Sequence, residues 1–441
     1  MGQLFGTDGI RGRAFEEPLD EDTVRRLGAA VADTLRENGP VRLLMAGDTR
    51  ASTQILAGWF ASSFQAAGGQ VTWAGVLPTP AVSHLVRTGS YRAGVIISAS
   101  HNPASDNGIK VLGATGETLA DEREADLEAR IATADPRHHD GLPPVDESLA
   151  DRYLDLLQAT HEVARPLEGM DLVVDAAHGA AWRLAGELLS RLGARVTDIA
   201  SAPDGININH ACGATAPEAL VGAVLKRGAD GGVALDGDAD RAILVAEDGR
   251  ILDGDDILLA WGRHLARQNR LPRGTVVATV MSNLGLDLAL AADGLRTERC
   301  PVGDRWVWQA MVEHGAALGG EQSGHVICSH HGVTGDGLLT ASHLLAIGAR
   351  SGHGLSELSN LVRLPQVLLN VPVAHKQPFD VLPSVQRELS ESERRLAGRG
   401  RVLLRYSGTE RLARVMVEGE DAAEIRTLAD RLAEALRLDL R

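Results

Sequence analysis

Ala93–Lys110 reads AGVIISASHNPASDNGIK. Its β-branched run, Val95-Ile96-Ile97, stops abruptly at Ser98-Ala99-Ser100-His101-Asn102-Pro103. A buried strand ending at the carboxyl edge of an α/β sheet has this form, and open α/β folds bind ligands at that edge. Ser100, His101, a turn stiffened by Pro103 and a solitary Lys110 are expected within one loop. That arrangement suits a hydroxyl nucleophile with titratable groups close by. Taken alone, an ordinary turn explains the same residues.

Working outward, apolar runs alternate with helical patterns. Strands are expected at Val41–Ala46 and Gly69–Trp73, with helices at Thr53–Ala67 and Glu122–Thr133. Asp135–Pro144, with three prolines and His138-His139, reads as a boundary. A helix at Leu149–Gln158 leads into a second series: strands Leu172–Asp175, Arg195–Ile199 and Gly232–Leu235, with helices Trp182–Leu192 and Pro217–Lys226. A third places helices Ile257–Arg267, Leu284–Ala292 and Trp306–Glu313 around strand Thr275–Val280. Pro365–Pro378 holds three prolines and few helix signals, so a linker is expected there. Strands Val402–Tyr406 and Arg414–Glu418 follow, with helices Val381–Leu396 and Asp421–Leu436. The expected class is α/β: three similar α/β domains with mixed sheets, over 1–148, 149–250 and 251–364, then a smaller α+β domain over 365–441.

The bulk numbers narrow the partners. The 441 residues are 44% hydrophobic and 23% charged, ordinary for a globular protein with a large core. Net charge is −15, from 44 basic against 59 acidic residues, with no basic stripe. Nucleic acid and anionic membranes are therefore not expected as partners. Cys212, Cys300 and Cys328 are widely spaced and form no C-x-x-C motif, so buried thiols in a reducing compartment are expected. The start MGQLFGTDGI has neither the basic nor the apolar region of a secretory signal. No apolar run reaches the roughly 18 residues of a membrane span, and a cytoplasmic location is expected.

Asp236-Gly237-Asp238-Ala239-Asp240-Arg241 follows a strand and sets three carboxylates at every second residue. Alternate residues of a strand lie about 6.6 Å apart, too far for a compact cage, so the segment must curl. Carboxylates about 4 Å apart repel by roughly 4 kcal/mol at an effective dielectric of 20. A divalent cation removes that cost, and magnesium takes such oxygens octahedrally. An EF-hand is rejected because Arg241 stands where that loop needs glycine. An aspartyl phosphatase using Asp236 as nucleophile fits less well, because a third aspartate continues the motif.

Four smaller signals accompany it. Phe5–Gly12 holds three glycines and Arg11, which could grip phosphate oxygens. Glu321 and Ser323, in Gly320-Glu321-Gln322-Ser323-Gly324-His325, offer an acceptor and a hydroxyl to a sugar, and His325 a base. Arg405-Tyr406-Ser407-Gly408-Thr409-Glu410 makes a cradle for a phosphate dianion. Lys110 is one of only three lysines, and lysine, unlike arginine, loses a proton when desolvated.

In this order, S-A-S-H-N-P, D-G-D-A-D-R, G-E-Q-S-G-H and R-Y-S-G-T-E resemble the α-D-phosphohexomutase superfamily from Phe5 to about Glu418. Gly205-Ile206-Asn207-Ile208-Asn209, Cys212–Thr215, Val280–Asn283, Val302–Arg305 and Thr334–Gly337 are similar to its bacterial branch acting on glucosamine phosphates. The resemblance implies a heart-shaped molecule around a central cleft. It implies Ser100 carried as phosphoserine, and one magnesium ion held by Asp236, Asp238, Asp240 and the Ser100 phosphate. Arg11, His101 and Arg241 would contact that phosphate, and Lys110 and His325 would be the acid/base pair. Glu321 and Ser323 would grip the sugar, while Arg405, Ser407, Gly408, Thr409 and Arg414 hold the distal phosphate. The implied reaction interconverts glucosamine 6-phosphate and glucosamine 1-phosphate through glucosamine 1,6-bisphosphate; mannose or glucose phosphates are the alternative substrates. A homodimer is left open. Ala239 stands where the family often has glycine, and Arg411 where proline is usual.

Overall fold

The structure is a computed structural model and describes residues 4–6, 9–36, 41–136, 138–139, 141–407 and 411–440. The first sheet is built from β1 (Ile10–Arg13), β2 (Arg42–Gly47), β3 (Gln70–Val76), β4 (Ala93–Ile97) and β5 (Asp106–Gly113), in the order β1-β5-β4-β2-β3. β1, β2, β3 and β4 all point the same way, and only β5, paired antiparallel with both β1 and β4, runs against them. β4 lies between two strands and is buried at every residue, which is why it reads as a continuous apolar run. Helices α1 (Glu21–Leu35), α2 (Thr53–Ala66), α3 (Thr79–Thr88) and α4 (Asp121–Ile131) accompany this sheet, and α5 (Ser148–Gln158) leads on.

The second sheet repeats the plan. β6 (Asp171–Asp175), β7 (Arg195–Ile199), β8 (Gly231–Leu235), β9 (Ala242–Ala246) and β10 (Ile251–Leu252) lie in the order β10-β9-β8-β6-β7, with helices α6 (Leu184–Arg191) and α7 (Glu218–Arg227). Again four strands point one way and one, β9, runs against them. Helix α8 (Gly254–Arg267) starts at a capping box made by Asp253 and Asp256. The third sheet has the order β12-β11-β13-β14, from β11 (Thr275–Thr279), β12 (Arg296–Cys300), β13 (Leu318–Gly320) and β14 (Val326–Cys328). Its neighbours in sequence are α9 (Leu284–Ala292), α10 (Asp304–His314) and α11 (Gly337–Ser351).

The last sheet, β15-β17-β16, is antiparallel: β15 (Gln366–Pro372), β16 (Gly400–Tyr406) and β17 (Leu412–Gly419), with helices α12 (Pro383–Leu396) and α13 (Ala422–Asp439). The linker expected at Pro365–Pro378 is thus a strand. Val367, Val371 and Val373 are buried in this sheet's core, and the prolines sit before, at the end of, or beyond β15. An edge strand accepts proline there because no ladder hydrogen bond is lost.

The chain divides into two compact units, Met1–Thr279 with Glu298–Asn360, and Val280–Thr297 with Leu361–Arg441. Within the second unit the Asn283 amide group donates to Leu364 O and to Glu418 Oε1, and Asn283 Oδ1 accepts from Leu364 N. Among the described residues no helix is long and apolar enough to cross a membrane. Cys212, Cys300 and Cys328 are free and buried, and burial pushes their thiols up, Cys212 to about 12 and the other two to about 11.

Candidate active site

Three loops occupy the same topological position. Ser100 lies between β4 and β5, the aspartates between β8 and β9, and Glu321–His325 between β13 and β14. Each connects an inner strand to its antiparallel neighbour.

Ser100 has φ +51, in the left-handed region. Its amide donates to Ser98 Oγ, its hydroxyl donates to Asp236 Oδ2 at 2.8 Å, and His101 Nδ1 stands 3.3 Å from that hydroxyl. The aspartate segment curls as its spacing demanded: Ala239 has φ +57, and its amide donates back to Asp236 O. Asp236, Asp238 and Asp240 are all buried, with one carboxylate oxygen from each within 4.8 Å of the others. Burial, then the charges of Asp240 and Asp238, push Asp236 well above the usual carboxylate range. Asp240 Oδ1 accepts no hydrogen bond; Arg241 Nε lies 3.7 Å from it. Buried, mutually repelling, hard oxygen donors at this spacing fit a divalent cation.

His325 is almost fully buried, with Nδ1 3.4 Å from Asp240 Oδ2, while the Gly335 amide donates to Nε2. Burial opposes a charged ring, but Asp240 outweighs it and pushes His325 up to about 9. The same pairing, with help from Arg241 and Lys110, holds Asp240 low despite its burial. Lys110 is buried and sits on β5, not in the loop as the sequence suggested. Strand alternation explains the difference: Arg11 on β1 pairs with Gly108, so Arg11 and Lys110 share one face of the sheet. Arg11 is accordingly on a strand, and Gly108, lacking a side chain, leaves room beside its Cγ.

Glu321 Oε1 accepts from Gly303 N at 2.9 Å, and Ser323 Oγ donates to Oε2 at 3.3 Å. Arg405 pairs with Arg414 across β16 and β17; desolvation, then Arg414, lowers its pKa. Lys376 Nζ donates to Ser407 O, adding a third cation. These belong to the second unit, and Gly408 and Thr409 lie outside the described residues.

Several site residues escaped the sequence reading. Arg50 Nη2 donates to Ser100 O at 3.2 Å and to Asn102 O at 2.6 Å; Asn209 Nδ2 donates to the same two carbonyls at 2.9 and 3.1 Å. Thr79 Oγ1 donates to Asp238 Oδ2 at 2.6 Å. Arg305 bonds Glu124, Asp121 and Leu119 O, two residues beyond the Gly303 that holds Glu321. Asn209 and Arg305 fall in motifs that the sequence offered without a role, and Gly47-Asp48-Thr49-Arg50, polar residues directly after a buried strand, carried a local signal of the kind that exposed Ser100.

The chain matches the phosphoglucomutase/phosphomannomutase alpha/beta/alpha domains I, II and III over residues 2–138, 151–249 and 253–364, and the C-terminal domain over 368–435. A phosphoglucosamine mutase from Solibacter usitatus is 46% identical over 442 residues, covering 99% of both chains. A phosphoglucomutase/phosphomannomutase family protein from Burkholderia thailandensis, known from a crystal structure, superposes with a TM-score of 0.82 at 25% identity, covering 98% of this chain and 97% of that one. The Aspergillus fumigatus N-acetylphosphoglucosamine mutase, crystallised with GlcNAc-6P and magnesium, shares the fold with a TM-score of 0.66 at 20% identity, over 99% and 96%.

Proposed function

We propose a reaction for this chain, which belongs to the phosphoglucomutase/phosphomannomutase family: the interconversion of glucosamine 6-phosphate and glucosamine 1-phosphate. It is an isomerase that passes a phosphoryl group through Ser100 and glucosamine 1,6-bisphosphate. The observation that carries this reading is the Ser100 hydroxyl 2.8 Å from a carboxylate of a buried aspartate triad. The choice of glucosamine follows the relatives that match the whole chain.

Asp236, Asp238 and Asp240 would hold magnesium, which when bound supplies positive charge against that developing on the phosphoryl oxygens. Phosphoryl transfer is mostly positioning and charge stabilisation, so the fixed cations of this chain do much of the work. Arg241, anchored by its amide to Asp236 Oδ1, faces the Ser100 phosphate together with Arg11 and His101. Glu321 and Ser323 bind sugar hydroxyls. Arg405, Arg414, Ser407, Gly408 and Thr409 bind the phosphate that does not react. Lys110 moves the proton at the sugar oxygen that gains or loses phosphate. His325 is its partner in charge: it holds Asp240, and any proton duty of its own needs the Gly335 amide to let go of Nε2.

The test is turnover of glucosamine, mannose and glucose 6-phosphates by one preparation, with phosphopeptide mass spectrometry of the same sample. Preference for glucosamine 6-phosphate and a phosphate on Ser100 are expected; preference for either other sugar changes the substrate. Ser100→Ala is expected to lose activity by on the order of 10⁴ or more while still binding magnesium in calorimetry.

A further inference from the structure

Ser100 is the reacting residue of the reading above, yet its backbone sits where residues with a side chain are disfavoured. A left-handed conformation costs an L-residue roughly 1–2 kcal/mol and persists only where its surroundings impose it. Two side chains from different sheets impose it here. Arg50 follows β2 of the first sheet, and Asn209 lies between β7 and α7 of the second. Both donate to the carbonyls of Ser100 and Asn102, the residues on either side of His101. A carbonyl oxygen has two lone pairs, so each of these two accepts one bond from each clamp.

Each donor is fixed in turn. Arg50 is paired with Asp48, both side chains fully buried, and Asp48 also accepts from Thr53 Oγ1 at 2.9 Å. Asn209 has φ +59, and its amide donates to Ala177 O. The aspartate loop is cut to fit. A Cβ on Gly237 would lie 2.5 Å from Ser100 O and 2.8 Å from Asn209 Nδ2.

We propose that Asn209, with Arg50, is a positioning residue that clips the Ser100 loop so that its hydroxyl meets the aspartate triad. This rests on the phosphoserine reading. Asn209 touches no reacting atom; it acts through the carbonyls. Arg50 is a poor test, because removing it leaves Asp48 buried without its counter-charge and threatens the fold. Asn209 can be tested cleanly. Asn209→Gly removes the donor while glycine keeps a positive φ without penalty. Asn209→Asp keeps the shape but turns an acceptor toward two carbonyls.

The clip predicts that kcat falls about 10- to 100-fold in Asn209→Gly, the cost of misplacing a reacting group by a fraction of an ångström to one ångström, with KM within about twofold. Asn209→Asp should fall at least as far. Amide hydrogen exchange across Ala99–Asn102 should quicken about tenfold in both, with or without substrate. The clip is overturned by unchanged kcat and exchange in both variants, or by Asn209→Asp outperforming Asn209→Gly, which would make shape the cause. Unfolding of both also overturns it, since a clip confined to one loop leaves the cores intact. If the unaltered protein turns over no hexose phosphate, the reaction falls instead, and the exchange measurement still decides the clip.

Discussion

At the scale of single residues, Asp240 and His325 set the charge state of the site. His325 is raised to about 9 by Asp240, so the pair's contribution is whole below about pH 6.5, the ordinary histidine value, and fades as pH rises through about 9. Protonating Nε2 sacrifices the Gly335 bond, but a charge-assisted bond to a buried carboxylate is the stronger of the two. In metal-free buffer the urea midpoint should therefore fall between pH 7 and 10, by an amount worth about 3 kcal/mol at most. His325→Gln should flatten that slope. Ala239 poses a second question. Its left-handed φ suits glycine better than alanine, and Ala239→Gly relieves roughly 1–2 kcal/mol of strain. The lost buried methyl costs about 0.8 kcal/mol, so the melting temperature should move by only a few degrees, with activity kept. The juxtaposed Ser100 and aspartate triad were legible because each is written contiguously after an apolar strand. The roles of Asn209, Arg50 and Thr79 were not, because each acts through a carbonyl or carboxylate far away in sequence.

At the scale of elements, packing rather than composition fixes the Glu321–His325 loop. The start of α8 abuts it so closely that a Cβ on Gly254 would lie 1.9 Å from Glu321 O, and Gly254 N donates to Gln322 O. Gly254→Ala must displace one of them. We expect KM for the phosphosugar to rise about tenfold, with a loss of stability of about 1–3 kcal/mol, measured by steady-state kinetics and urea unfolding. A KM unchanged from the parent would detach α8 from substrate binding. Several elements lie where expected, β7 and α9 among them. β5 was not, since Asn107-Gly108 imitates a turn and Lys110 interrupts the apolar run on the very face that serves the site. β15 was hidden by prolines that punctuate its ends without breaking its ladder.

At the scale of the molecule, the three aspartates lie in one compact unit and the Arg405–Arg414 pair in the other. A chain with two units is not bound to melt in one step. Calorimetry should resolve two transitions, and magnesium should raise the one belonging to 1–279 with 298–360. Binding at about 100 times the dissociation constant is worth roughly 2.7 kcal/mol to whichever unit holds the site. Equal shifts in both transitions, or a single unshifted one, would contradict this. The net charge of −15 sets the demand on the cations: a dianionic sugar phosphate meets an acidic protein and must find its arginines locally. The division of the chain also bears on biosynthesis. Residues 280–297 leave the ribosome well before 361–441, the segment they pack with, and the stretch between them belongs elsewhere. α9, within that early segment, must wait for its own unit until 361–441 has been made, so a nascent chain lacking its last sheet leaves an apolar helix for chaperones to shelter.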